Sequence, residues 1–296
     1  MDDVIIIGGS FAGLTAAMQL GRARRKVTLL DSGLPRNRFA AHSHGVLGHD
    51  GKAPGEILAA GRAELAAYPS VRIINTKAVA AGGAIDDFSV TGDDGETLRA
   101  RRLVLSYGIT DQFPDLPGFA ESWGKSVLHC PYCHGFEVGD QRLGLLYVAP
   151  FSLHMASLLL DWSQDLTLFA DGKDIPAEDR DRLAARGVTI IDPKVTALEN
   201  AAGQLSAIAV ADGRSIGLDA LFAHPRNAPS ANLHAQLGVE MVETPLGLAT
   251  KLLERQLTSV PGIYAGGDLA SGMQSVPLAL SSGSMAGVAA HQSMLV

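Results

Sequence analysis

Residues 4–31 constrain this chain more than any other stretch. Residues 4–7 form a continuous apolar, β-branched run that ends in Gly8-Gly9, and apolar side chains then recur at helical spacing: Phe11, Leu14, Ala17 and Met18. Residues 26–30 read as a second strand, closed by Asp31. Strand, glycine turn, helix and strand in this order make a β-turn-α-β unit, and a first strand without polar alternation belongs in a parallel sheet covered on both faces. Gly8-Gly9-Ser10-Phe11-Ala12-Gly13 stands where a G-x-G-x-x-G fingerprint stands, opening a helix, with the acidic Asp31 about 20 residues on. Gly8 permits the tight turn, Gly13 permits close helix packing, and the helix N-terminus faces a pyrophosphate. Ser10 replaces the middle glycine, and Ser10 and Ala12 complete the turn. Asp31 is placed to accept hydrogen bonds from an adenosine ribose. An ordinary strand-to-helix turn is the alternative, and the full context favours a nucleotide.

The rest of the chain repeats this pattern once. With 296 residues, 47% of them apolar, it is too long for one ordinary core and predicts two domains. Residues 33–53 hold turn formers and the histidines His42, His44 and His49 without periodicity, which predicts a long loop; one of these histidines is a candidate for contact with a bound ligand. Residues 54–67 read as a helix, and 71–75, 88–91 and 98–106 as strands, the last two joined by Gly92-Asp93-Asp94-Gly95. Pro114 and Pro117-Gly118 mark a link to a new strand-helix-strand unit at 143–148, 152–162 and 166–169. Thr244-Pro245-Leu246-Gly247 is a second link, ahead of a strand that runs into Gly266-Gly267-Asp268 and a final helix at 277–294. The prediction is an α/β chain of two Rossmann-like, three-layer ββα domains. One is discontinuous, 1–113 and 243–296; the other, 114–242, is inserted into it.

Charge and cysteine content narrow the function. Lys and Arg number 24 against 31 Asp and Glu, a formal charge of -7 that argues against nucleic acid as a partner. Met1-Asp2-Asp3 is acidic and the apolar run after it is too short for a signal or an anchor, while Asp161 and Gln164 interrupt the apolar run at 158–160. The expectation is a cytoplasmic protein that does not enter a membrane. In a reducing compartment the only two cysteines, Cys130-Pro131-Tyr132-Cys133, read as a redox pair or as metal ligands. Zinc held by His129, Cys130, Cys133 and His134 is the weaker reading, because adjacent residues chelate one ion poorly; no metal is expected. Burial of both thiols in a core is the other alternative, and Pro, Tyr and histidines around them argue against it. At a helix start the two cysteines share one face, where the positive end of the helix favours the thiolate.

Tyr264-Ala265-Gly266-Gly267-Asp268 resembles the second flavin motif of two-dinucleotide-domain flavoproteins. Together with the N-terminal fingerprint, Ser106-Tyr107-Gly108 at a strand end and the C-x-x-C at the head of the second domain, it makes nearly the whole chain resemble the low-molecular-weight thioredoxin reductases. The resemblance is closer still to the FAD-dependent dithiol oxidases that close disulfides of the gliotoxin or holomycin type. Cys130-Pro131-Tyr132-Cys133-His134-Gly135-Phe136-Glu137, Pro35-Arg36-Asn37 and His42-Ser43-His44-Gly45 are similar to that branch. The resemblance implies FAD, held by the fingerprint residues, Gly108 and Gly267, with Asp268 on the ribityl chain and Gln274, Ser275 and Val276 beside the flavin. It implies Cys133 as the cysteine that faces the flavin, Cys130 as the exchanging cysteine, His134 as acid/base with His129 as a second candidate, and a homodimer. Its partner is a small dithiol or disulfide, or a thioredoxin-like protein. The chain departs from the reductases at Tyr147-Val148-Ala149-Pro150-Phe151-Ser152, a second turn with no glycine, and at Ala170-Asp171-Gly172-Lys173-Asp174, where arginines would meet the 2′-phosphate of NADPH. FAD is therefore expected, and NADPH doubtful. The predicted function is oxidation of dithiols with O2 as acceptor. The alternatives are a disulfide reductase fed by NADPH or by a reduced protein such as ferredoxin, and a flavin-binding redox sensor.

Overall fold

The computed structural model describes residues 1–295; Val296, the last residue of the segment expected at 243–296, lies outside the described residues. The chain divides into two compact units, the first made of Met1–Arg38, Lys52–Thr110 and Asn227 to the C-terminus, the second of Phe39–Gly51 and Asp111–Arg226. Both are α/β units of the Rossmann type, as the alternating pattern predicts.

In the first unit the elements run β1 (Asp2–Ile7), α1 (Phe11–Arg22), β2 (Val27–Asp31), α2 (Pro54–Leu65), β3 (Val71–Asn75), β4 (Ala78–Ala84), β5 (Asp87–Gly92) and β6 (Thr97–Leu105). Strands β3, β2, β1 and β6 lie parallel in that order. The first half of β6 pairs antiparallel with β5, and β5 with β4. The second half of β6 takes the strand Ile263–Ala265 in parallel, Ile263 opposite Leu103. Strand β1 shows why the sheet is covered twice. Val4 and Ile6 enter one apolar cluster with α1 and the last helix, and Ile5 and Ile7 enter another with Leu103, Leu105 and Leu233. Strand β4 has the sequence Ala-Val-Ala-Ala-Gly-Gly-Ala and lacks the β-branched signal of a strand; its state is set by its ladder with β5.

In the second unit five short parallel strands run in the spatial order Thr189–Ile191, Leu166–Phe169, Leu143–Leu146, Ala220–Phe222 and Val127–Leu128. The helices Phe151–Leu159 and Ala177–Ala184 accompany them, and the strands Val195–Ala201, Gln204–Val210 and Ser215–Gly217 form a separate antiparallel sheet. The expected segment 114–242 is longer at its end than this unit, because Leu233, Leu237 and Val239 pack with Ile5 and Leu105 of the first unit's core. Residues 39–51, expected as part of the first domain, group with the second unit. The strand expected at 143–148 stops at Leu146, and the helix expected at 152–162 spans Phe151–Leu159.

Candidate active site

Three segments of the first unit converge at the end of β1. Gly8 has φ +108°, and a Cβ there would lie 2.3 Å from the Ser106 carbonyl oxygen. A Cβ on Gly13 would lie 1.8 Å from the Gly8 carbonyl oxygen, so α1 starts directly against the turn. The Ser106 hydroxyl donates to the Ile7 and Gly8 carbonyl oxygens at 3.0 and 2.9 Å and ties the end of β6 to the same turn. Gly267 closes the third side: its amide donates to Ser282 Oγ at 2.8 Å, and a Cβ on it would lie 3.0 Å from that of Ala12. Gly108 takes φ +67° with open space where a side chain would stand. Ser10 stands at the N-cap of α1 without its side chain accepting from the helix, and the first turn of α1 carries no acidic residue. That leaves the positive helix end available to a phosphate.

Asp31 is buried at the end of β2, where its Oδ1 accepts from the Gly33 amide at 2.9 Å. Its Oδ2 pairs with Arg62 of α2, whose Nη2 also donates to the Gly9 carbonyl oxygen at 3.3 Å. Asp268 accepts from Arg36 Nη1 at 3.2 Å. Gln274 donates from Nε2 to the Ser271 carbonyl oxygen at 3.1 Å, Ser275 caps the last helix (Val276–Gln292) by accepting from the Leu278 amide at 3.3 Å, and Val276 is its first residue. The structure thus gathers the fingerprint, Ser106 to Gly108 and Gly267-Asp268 in one unit. The side-chain-free backbone at Gly8, Gly108 and Gly267, the open helix end and the two carboxylates fit the phosphates, ribose and ribityl chain of FAD. Arg62 carries no local motif and reads in the sequence as a helix-surface arginine; Arg36 lies in the Pro35-Arg36-Asn37 segment, which by itself assigns it no partner.

Cys130, Cys133 and His134 belong to the second unit. Cys130 is extended (φ -121°, ψ 120°) at the N-cap of the helix Pro131–His134, with proline at the helix start. The Cys133 and His134 amides donate to the Cys130 carbonyl oxygen, each at 3.2 Å. The two Sγ atoms lie 2.7 Å apart. The helix expected to polarise the thiols is only one turn long. Tyr132 stands against Trp162, edge to face at 5.5 Å between centroids, and Tyr132 and Phe136 are both exposed beside the cysteines.

His134 is half-buried, and burial pushes its imidazole below the ordinary 6.5; Glu137 opposes that shift and His44 adds to it. His44 comes from the 39–51 loop. Its Nε2 lies 3.4 Å from Glu137 Oε1, and its ring meets that of His134 edge-on at 6.4 Å. His129 instead shares ring contacts with His224 at 5.0 Å and Trp123 at 6.5 Å. Among the described residues no three His, Cys, Asp or Glu side chains are arranged to hold a metal ion.

The glycine-free second turn is occupied by its own side chains. The Val148 amide donates to Ser152 Oγ at 3.1 Å, and Phe151 stands edge-on to buried His224 at 5.4 Å. Lys173 Nζ donates to the Tyr147 carbonyl oxygen at 3.2 Å and pairs with Asp171 at 2.8 Å, while Asp171 also accepts from the Val195 amide at 3.0 Å. The Val148 amide and the Lys173 ammonium, which could meet a second pyrophosphate, are engaged within the chain. No helix among the described residues is long and apolar enough to cross a membrane.

Two Rossmann-type units, one with a dinucleotide turn and one with a C-x-x-C turn, define a thiol/disulfide oxidoreductase class. The model of the pyridine nucleotide-disulphide oxidoreductases matches residues 2–283, and the chain belongs to that family. It is an oxidoreductase of thioredoxin reductase-like type, and family membership implies FAD. The chain is 32% identical to thioredoxin reductase tcpT of Claviceps purpurea, over 99% of this chain and 94% of the relative. The crystal structure of an oxidoreductase from Agrobacterium tumefaciens shares 43% identity and a TM-score of 0.95, covering 99% of this chain and 98% of the other. That of HlmI shares 38% identity and a TM-score of 0.92, covering 99% and 92%.

Proposed function

We propose that this enzyme oxidises dithiols to disulfides through Cys130 and Cys133, with O2 as the final acceptor. The observation that carries this reading is the second turn, where Ser152 engages the Val148 amide and Asp171 the Lys173 ammonium, the donors a pyridine nucleotide's phosphates would need. In this reading electrons enter from the thiol side. One substrate thiol gives its proton to His134, and the thiolate attacks Cys130 Sγ. The Cys130–Cys133 bond breaks and Cys133 leaves as a thiolate. The second substrate thiol, deprotonated in turn, attacks the substrate sulfur of the mixed disulfide, which frees Cys130 as a thiolate and the substrate as a disulfide. FAD held by the first unit would supply two-electron acceptance and transfer to O2, with the Cys130–Cys133 bond re-formed, so that one dithiol and one O2 would give one disulfide and one hydrogen peroxide. His134 suits its part because burial favours the neutral imidazole, which can accept a proton. Exposed Tyr132 and Phe136 offer an approaching small dithiol an apolar surface beside Cys130. The same reading takes the enzyme to be a cytoplasmic homodimer that acts on a small dithiol or a thioredoxin-like protein.

The name of the Claviceps relative, a thioredoxin reductase, favours the reverse direction; the donor of such a reductase would be NADPH or a reduced protein such as ferredoxin. Anaerobic mixing of the FAD-loaded enzyme with a small dithiol, NADPH or reduced ferredoxin separates the readings. Bleaching of the flavin band near ~450 nm by the dithiol alone is expected. Rapid bleaching by NADPH contradicts the proposal. Cys133→Ser should keep FAD and lose the dithiol response.

A further inference from the structure

The loop 39–51 belongs to the same unit as the C-x-x-C turn, and His44 is where the two meet. Its Nε2 is 3.4 Å from Glu137 Oε1 and its Nδ1 3.7 Å from Asp50 Oδ1. The ring of His134 stands 6.4 Å away and that of His42 6.3 Å away. The loop around it is tied down: Asp50 Oδ1 accepts from the Gly45 amide at 2.8 Å, and His42 Nδ1 donates to the Gly51 carbonyl oxygen at 3.0 Å. Glu137, three residues beyond His134, is therefore shared between two imidazoles. A carboxylate engaged by His44 attracts a proton to His134 less strongly, and a charged His44 repels that proton directly.

We propose that His44 is a positioning residue for the thiol chemistry: by holding Glu137 and facing His134, it sets the charge around His134 and keeps that imidazole ready to accept the substrate proton. The inference rests on the reading of His134 as proton acceptor. The titratable groups that act on His134 are Glu137 and His44; those that face His44 are Glu137, Asp50, His42 and His134. In the oxidised enzyme a Cys130–Cys133 disulfide carries no charge, so the His134 titration reports the imidazole and carboxylate groups alone.

The FAD-loaded, oxidised enzyme, labelled at histidine Cε1, is titrated by NMR, with the His134 resonance identified by its loss in His134→Gln. His44→Gln removes an imidazole that lowers the proton affinity of His134 and releases Glu137, so the His134 midpoint should rise by about 0.5–1 pH unit. Glu137→Gln should lower it by a similar amount, about 0.5–1 pH unit. The acid limb of dithiol-driven flavin reduction should move in the same direction in each variant. Midpoints that stay put in both variants overturn the proposal, and if His44→Gln does not retain flavin, Glu137→Gln decides alone. A wild-type acid limb in His134→Gln overturns the proton-acceptor reading instead, and is read independently of the NMR midpoints.

Discussion

His134 sits where small changes of environment decide whether it takes or gives a proton. Burial disfavours the imidazolium, so its midpoint lies below 6.5 and at pH 6.5 more than half of the side chain is neutral. Its competence as a base is lost as pH falls through that depressed midpoint, so the acid limb of kcat/KM belongs below 6.5. His134→Gln should abolish that limb and lower kcat/KM by roughly 10²–10⁴-fold, measured from stopped-flow flavin reduction across pH. A limb that persists unchanged means that another group takes the proton. At this scale the chemistry-bearing residues were legible, because C-x-x-C, the adjacent histidine and the two acidic residues of the nucleotide motifs are local patterns. Their partners were not. His44 and Glu137, Arg36 and Asp268, and Arg62 and Asp31 are 93, 232 and 31 positions apart along the chain, and no short pattern joins them.

Among the elements, the pairing of α1 with the last helix depends on absent side chains. A Cβ on Gly283 would stand 2.1 Å from the Ala12 carbonyl oxygen and 2.5 Å from Thr15 Oγ1, beneath the turn that is to hold the pyrophosphate. Alanine is the better helix former by about 1 kcal/mol, yet overpacking against backbone costs about 1–3 kcal/mol and should win. Gly283→Ala should therefore lower the unfolding free energy by about 1–2 kcal/mol and reduce flavin occupancy, read by denaturant titration and by the flavin-to-protein absorbance ratio. Gly55→Ala on α2, where a Cβ meets open space, serves as the control and should not destabilise. The strand-turn-helix units announced themselves through apolar runs and glycine placement. Strand β4 did not, since seven residues of alanine, valine and glycine carry no period and take their state from β5. The one-turn helix at Pro131–His134 shows the converse: the motif was readable, but the length of the helix behind it was not.

For the whole molecule, the alternation of strands and helices was enough to expect two Rossmann-type units. The course of the chain between them was harder to read. Residues 39–51 leave the first unit to join the second, and residues 227–242 belong to the first, because those assignments depend on contacts such as His44 with Glu137 and Leu233 with the sheet core. The functional consequence is a division of labour. The first unit carries the FAD-fitting turn, and the second has a C-x-x-C turn and a second nucleotide turn engaged by Ser152 and Lys173. In the proposed function, electrons enter as thiols and leave to oxygen. Its most direct test follows a small dithiol with the FAD-loaded enzyme in air, without pyridine nucleotide, and counts the products. One disulfide and one hydrogen peroxide are expected per O2 consumed, over many turnovers, with Cys133→Ser inactive. Turnover that stops after the first flavin reduction, or that needs added NADPH to proceed, would contradict it.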